Sequence, residues 1–340
     1  MPLASDLVLD DSKFDESRIS SATAALNDRL IETQLSIPKW HEVGAEKFRQ
    51  MRWNGETALP KPLVLESGVD FQMPSRDAGR DIPCRMFKPA SGDVRGVFMH
   101  IHGGGFVLNS EKQSSSDTYI KSLADGCQLA VVSIGYRLAP EHPYPAGLDD
   151  CIDAADWLSR KAKPNYGADL MFIGGDSAGA NLSVLTVLHF LKMQSGFSLR
   201  GLLLQYGVYD LSYTLPQAKN FKRHGPLVLD QSAMAHFTDA YLPDRTQEQR
   251  REPAISPFYE DLYQFGRATL PPALFTCGTE DPLLDDTLMM TVKWRCTGSE
   301  AITKIFTGAP HAFALFPPSV CEHAGPALEV TQQFILEKSA

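Results

Sequence analysis

The chain has 340 residues, 43% of them apolar, and a formal net charge of −9 at pH 7. Such a length and apolar share suit a soluble globule with a sizeable core, either two average domains or one large α/β unit. The negative balance, with no dense run of Lys or Arg, excludes a surface that tracks phosphates, so nucleic acid is not an expected partner.

Residues 17–35 read as a helix, with Ile19, Leu26, Leu30 and Ile31 near one face and Pro38 beyond its end. From residue 63 the texture turns to short β-rich runs at 63–71, 82–88 and 94–101. The last of these is apolar enough for a strand buried on both faces. Strands and helices then alternate: strand 129–134, helix 148–160, strand 170–173 and a helix over 178–193 that is apolar nearly all round. Strands at 202–206 and 273–277, a helix at 283–295, a strand at 302–306 and a helix at 327–336 complete the series. This alternation predicts a mostly parallel sheet with helices on both faces.

No strand is evident between 206 and 273, and residues 208–258 carry apolar islands at 227–229, 234–237 and 241–242. An insert of that length inside a compact domain reads as a functional lid. The expected division is therefore N-terminal cap helices over 1–50, a catalytic α/β domain from 51–207 and 259–340, and a cap insertion at 208–258.

Cys84, Cys127, Cys151, Cys277, Cys296 and Cys321 are scattered and form no C-x-x-C pair, so the pattern of a metal site is missing. Met1 to Asp11 lacks the cationic start and apolar block of a secretory signal, and no apolar stretch reaches the ~20 residues of a membrane span. Free thiols without a signal point to a reducing, cytoplasmic setting.

The strongest local signal is Gly175-Asp176-Ser177-Ala178-Gly179, which follows the strand at 170–173 and opens the helix at 178. A serine on so tight a strand-to-helix turn has strained dihedrals, and neighbours carrying a Cβ would clash there. The helix N-terminus behind it favours developing negative charge. A glycine-rich turn with an incidental serine is the blander alternative, which the strand before and the helix after argue against.

His102-Gly103-Gly104-Gly105 directly follows the strand at 94–101. Three glycines leave amides uncovered, and with the amide of Ala178 they would form an oxyanion hole, each lost donor raising the barrier by about 3 kcal/mol. A nucleotide loop would require G-x-G-x-x-G opening a helix, or a Lys-Ser/Thr pair, and neither is present.

A nucleophilic serine needs a base, and the base needs an orienting acid. Of nine histidines, His311 is best placed, in a loop just past the last strand among Ala309, Ala312, Phe313 and Leu315. His41, His100, His189, His224, His236 and His323 lie in segments less suited to that task, and His102 is expected to brace the glycine loop. The acid should follow the strand at 273–277. Asp281, in the turn before Pro282, is the first choice, with Asp285 as helix cap or reserve and Glu280 third. Asp176 is expected to brace the turn rather than act as a second carboxylate. The order Ser, Asp, His is the one an α/β-hydrolase uses.

These residues resemble the hormone-sensitive-lipase-like branch of α/β-hydrolases, the microbial family IV carboxylesterases. The likeness rests on 102–105, 175–179, the run Tyr136-Arg137-Leu138-Ala139-Pro140-Glu141-His142-Pro143-Tyr144-Pro145-Ala146, Asp281-Pro282-Leu283 and the His311 loop, and covers about 94 to 316. The resemblance implies an eight-stranded sheet with a helical cap, and ester hydrolysis on short to medium acyl chains. It implies a triad of Ser177, Asp281 and His311, oxyanion donors among Gly103, Gly104, Gly105 and Ala178, and support from His102 and Asp176. No metal or organic cofactor is expected. A homodimer through the last strand and helix is left open by the pairing seen among relatives. Fungal relatives that deacylate secondary metabolites keep a pathway-specific ester open as the substrate. The same triad also serves amide hydrolysis, lactone opening or acyl transfer, which the sequence does not separate. A ligand receptor on a dead hydrolase scaffold, as in plant gibberellin receptors, would lack the catalytic histidine that is present here as His311.

Overall fold

A computed structural model of the chain describes residues 8–112, 117–193, 196–216 and 226–340. Eight strands form one sheet: β1 (Val69–Pro74), β2 (Asp81–Phe87), β3 (Gly96–Ile101), β4 (Leu129–Ile134), β5 (Leu170–Asp176), β6 (Gly201–Gln205), β7 (Ala273–Glu280) and β8 (Ala301–Pro310). Their order is β1-β2-β4-β3-β5-β6-β7-β8. β2 runs antiparallel to both β1 and β4, and every later neighbour pairs in parallel. This is the eight-stranded, mostly parallel arrangement expected. β3, β4, β6 and β7 are buried along their whole length, which is why they read as largely apolar runs rather than alternating ones.

The run at 63–71 is a correction. Pairing begins only at Val69 and continues to Pro74, and Leu63 and Val64 are exposed. Before Val69 a side-chain pair holds the backbone: the Leu65 amide donates to Asp117 Oδ2 at 2.7 Å, and Arg85 Nη2 donates to the Leu65 carbonyl at 2.5 Å. With its polar groups met in this way, the segment needs no neighbouring strand.

Helices α1 (Ser21–Ser36), α2 (Trp40–Val43) and α3 (Ala45–Asn54) precede the sheet, and α4 (Asp117–Cys127), α5 (Ala146–Tyr166) and α6 (Ala178–Met193) follow β3, β4 and β5. α7 (Gln231–Tyr241) lies in the long insert, and α8 (Leu284–Cys296) and α9 (Ala324–Ser339) close the chain. The Ser20 hydroxyl caps α1 by accepting from the Thr23 amide at 3.0 Å, and Asp230 caps α7 by accepting from the Ala233 amide at 2.7 Å. Leu26 and Leu30 of α1 pack with Cys277, Phe313 and Leu315 at the C-terminal edge of β7 and β8. Arg49 of α3 ties this N-terminal segment to the rest: its Nε donates to the Val107 carbonyl at 2.8 Å, and its Nη2 donates to the Ala139 carbonyl at 2.9 Å and to Glu141 at 2.8 Å. The N-terminal helices and α7 are thus gathered over one edge of the sheet. In parallel sheets, ligands bind at that C-terminal edge.

Candidate active site

The glycine requirement at the turn is steric. A β-carbon on Gly175 or on Gly179 would stand 2.0 Å from the carbonyl oxygen of Ile101, the last residue of β3. Two bare α-carbons therefore let the turn close against that strand. Ser177 has φ +55°, and its amide donates to the Gln205 carbonyl at 2.8 Å, so the left-handed serine is pinned to β6.

His311 follows β8 and Asp281 follows β7, so adjacent parallel strands deliver both to the same edge. The structure brings the three side chains together. His311 Nε2 lies 3.0 Å from Ser177 Oγ, and Nδ1 lies 2.8 Å from Asp281 Oδ2. Asp281 is fully buried, and its Oδ1 also accepts from the Leu283 amide at 2.9 Å. His311 is only 6% exposed, with the Tyr206 ring edge-on at 5.0 Å. Glu280 ends β7 and Asp285 lies in the first turn of α8, and His311 hydrogen-bonds to neither.

Among the described residues, the amides of Gly103, Gly104, Gly105 and Ala178 make no hydrogen bond to protein. Gly104 and Gly105 line the cavity that opens at Ser177, with φ of +112° and +62°. Gly103 does not line it. A β-carbon there would stand 2.5 Å from Asp176 Oδ2, and its carbonyl accepts from His102 Nδ1 at 2.8 Å and Asn109 Nδ2 at 3.3 Å. The structure thus places Gly103 as the loop's anchor behind the two cavity glycines. Ala178 opens α6 beside the serine and is itself buried.

His102 and Asp176 sit beneath. His102 stacks on Tyr136 at 4.2 Å, and the Tyr136 hydroxyl donates to the His102 carbonyl at 2.9 Å. Burial pushes the His102 imidazole down to about 4, so it stays neutral while bonded to its own loop. Asp176 Oδ1 lies 3.5 Å from His100 Nε2, whose Nδ1 meets Ser133 Oγ at 3.2 Å.

Among the described residues, no other histidine hydrogen-bonds to Ser177. His189 is half-buried on α6 against Phe190, His323 precedes α9, and His41 stacks on His236 between α2 and α7. His224 lies outside the described residues.

The cavity at Ser177 is about 150 Å³ and mostly apolar, walled by Ile37, Trp40 and Phe48 of the N-terminal segment and by Leu229, Met234 and Phe237. Leu229, Met234 and Phe237 fall in the apolar islands of the expected lid, whereas Ile37, Trp40, Phe48 and Tyr206 beside His311 could not be singled out from the sequence. They come from distant segments, and no spacing rule joins them.

A family profile described as "alpha/beta hydrolase fold" matches residues 98–315. An AB hydrolase superfamily protein of Schizosaccharomyces pombe is 30% identical over 279 residues, covering 77% of each chain. Carboxylesterase NlhH of Mycobacterium tuberculosis is 32% identical over 251 residues, covering 72% of this chain and 73% of its own. Among solved structures, an esterase of Pyrobaculum calidifontis superposes with a TM-score of 0.76 at 28% identity, covering 92% of this chain and 97% of its own.

Proposed function

This chain belongs to the hormone-sensitive-lipase-like carboxylesterases of the α/β-hydrolase fold, and on that premise we propose that Ser177, His311 and Asp281 are its catalytic triad. The observation that carries the reading is the unbroken hydrogen-bonded path from Ser177 Oγ through His311 to the buried Asp281 carboxylate. Neutral His311 donates through Nδ1 to Asp281, which leaves Nε2 free to accept the serine proton. Ser177 Oγ attacks the ester carbonyl as its proton passes to Nε2. The oxyanion rests on the amides of Gly104, Gly105 and Ala178, which have no other protein partner among the described residues. His311 then protonates the departing alkoxide, leaving an acyl-serine. Water repeats the sequence, releasing the acid and restoring the proton to Oγ.

His102 and Asp176 act through the loop, holding Gly103 so that its two successors face the cavity. Helices α1–α3 and residues 208–258, of which 217–225 lie outside the described residues, serve as a cap that excludes water. The cavity, with its apolar lining, suits an acyl chain at the short end of the expected short-to-medium range. Its volume of about 150 Å³ matches that of a dry cavity known to hold one benzene, roughly 150 Å³.

The test is a series of aryl esters of increasing acyl length on the wild type and on Ser177→Ala. The variant should lose at least about 10⁴-fold in kcat on every ester. Wild-type turnover should fall as the chain outgrows the cavity. A loss of only a few-fold in Ser177→Ala would overturn the assignment.

A further inference from the structure

The glycine loop is strained beyond its glycines. Gly105, Phe106 and Asn109 all have left-handed backbones, with φ of +62°, +64° and +72°. A phenylalanine in that region sits there only when its surroundings hold it. Two side chains of α7 supply such a hold. A β-carbon on Gly105 would stand 2.4 Å from Phe237 Cγ and 2.5 and 2.7 Å from the two Cδ atoms, so the ring presents its face to the glycine. Phe106 in turn lies flat on Tyr241, with centroids 3.9 Å apart and planes within 4°. Phe237 and Tyr241 are four residues apart, which places them on one face of the helix. One turn of α7 therefore covers two consecutive loop residues.

α7 is itself fixed from outside the loop. The Trp40 ring lies parallel to Phe237 at 5.1 Å, and the Tyr144 amide donates to the Tyr241 carbonyl at 2.9 Å.

We propose that Phe237 and Tyr241 are positioning residues for the oxyanion hole: α7 clamps Gly105 and Phe106 in their left-handed conformation, so the loop amides reach donating geometry only while the cap is seated. The inference rests on the triad reading above and adds to it that the cap governs transition-state stabilisation as well as access. Without the Phe237 ring, Gly105 is free to leave its conformation, and the donors no longer meet the oxygen where its charge develops. The deficit then falls on the chemical step. A residue that merely lined the cavity would change substrate affinity instead.

The experiment compares Phe237→Ala, Phe237→Leu, Tyr241→Leu and Tyr241→Phe with the wild type on a short aryl ester. It also measures inhibition by an aryl trifluoromethyl ketone. That ketone adds Ser177 Oγ to its carbonyl carbon, passes the serine proton to His311 and leaves an oxyanion on the loop amides. Complete loss of one donor lowers kcat on the order of 10²–10³-fold, so a loosened loop should lower it roughly tenfold or more. In Phe237→Ala that loss is expected in kcat, with KM changed less than about threefold, and ketone inhibition should weaken by the same factor as kcat/KM. Phe237→Leu, which keeps apolar bulk over Gly105, should recover most of the rate, and Tyr241→Phe should match the wild type. An unchanged kcat in Phe237→Ala, or an effect confined to KM, overturns the proposal. If Phe237→Ala fails to fold, the same split read on Tyr241→Leu decides it. Residual turnover in Ser177→Ala would instead bring down the triad reading, so the two failures are distinguishable.

Discussion

Gly175 and Gly179 show how a single missing methyl group shapes the site. Both abut the Ile101 carbonyl, and Gly179 is helical, so a side chain there would suffer from crowding and not from its dihedrals. Gly79 is the opposite case, with φ +78° and open space around it. Gly179→Ala should therefore cost about 3 kcal/mol or more, the upper end of overpacking penalties, while Gly79→Ala should cost roughly 1 kcal/mol of left-handed strain. Urea midpoints of the two variants check this, and equal losses would contradict it. Residues of this kind were readable from the sequence because the strand, turn and helix that frame the motif lie within ten positions of them, although the carbonyl that excludes a side chain belongs to β3. The choice among Glu280, Asp281 and Asp285 was harder to read. It turns on where β7 stops, and that is set by the pairing of Glu280 with Pro310 on another strand.

The contact between α2 and α7 is a seam of stacked rings. Beside the Trp40–Phe237 pair, His41 lies on His236 with centroids 3.6 Å apart and planes 21° from parallel. Burial, and next the neighbouring His236, hold the His41 imidazole below its ordinary value of 6.5. Lys39 pushes the same way, and Glu42 and Asp230 oppose it. A base depressed in the closed state is neutral there, and above pH 6.5 it is neutral in the open state too, so the seam is then at full strength. As pH falls below 6.5 the released imidazole takes up its proton first, and the seam weakens progressively until the closed form also titrates. Protection factors of the α2 and α7 amides, in which the base-catalysed intrinsic exchange rate is divided out, should therefore fall between pH 7.5 and 5.5, measured in Ser177→Ala so that turnover does not intervene. In His41→Phe/His236→Phe, which keeps the stack but removes the imidazoles, the fall in protection should disappear. Its persistence would place the pH response elsewhere. The sequence showed residues 208–258 as an insert with apolar islands, yet not the partner of α7. Trp40 is nearly two hundred positions away, and helical periodicity reports which face is apolar without saying what covers it.

At the scale of the whole molecule, the alternating strands and helices announced the sheet, because strands buried on both faces leave an unmistakable apolar run. The ion pairs that lock its layers left no such trace. The stretch 136–146 stood out only by resemblance, and its physical roles emerge in three dimensions. Tyr136 supports His102, Glu141 meets Arg49 of α3, Tyr144 meets Tyr241 of α7, and Arg137 meets Asp150. Asp150, on α5, is fully buried between two cations. Arg80, at the β1–β2 hairpin, donates to it through Nη1 at 2.6 Å and Nη2 at 2.7 Å, and Arg137 donates through its amide at 2.8 Å and Nη2 at 2.9 Å. One carboxylate thus joins the antiparallel edge of the sheet, the segment after β4 and a flanking helix. Removing one member of a buried network leaves the others charged and uncompensated, at about 3–5 kcal/mol, whereas replacing the whole network with apolar groups of like volume is often neutral. Because Arg137 keeps Asp77 at 2.6 Å and both guanidiniums reach solvent in part, Asp150→Ala should lower the free energy of unfolding by about 3 kcal/mol, the lower end of that range, and Asp150→Leu/Arg80→Met/Arg137→Met should regain much of it. Both are read from urea unfolding curves. An Asp150→Ala protein as stable as the wild type would mean that water already screens these charges and that packing alone holds the layers.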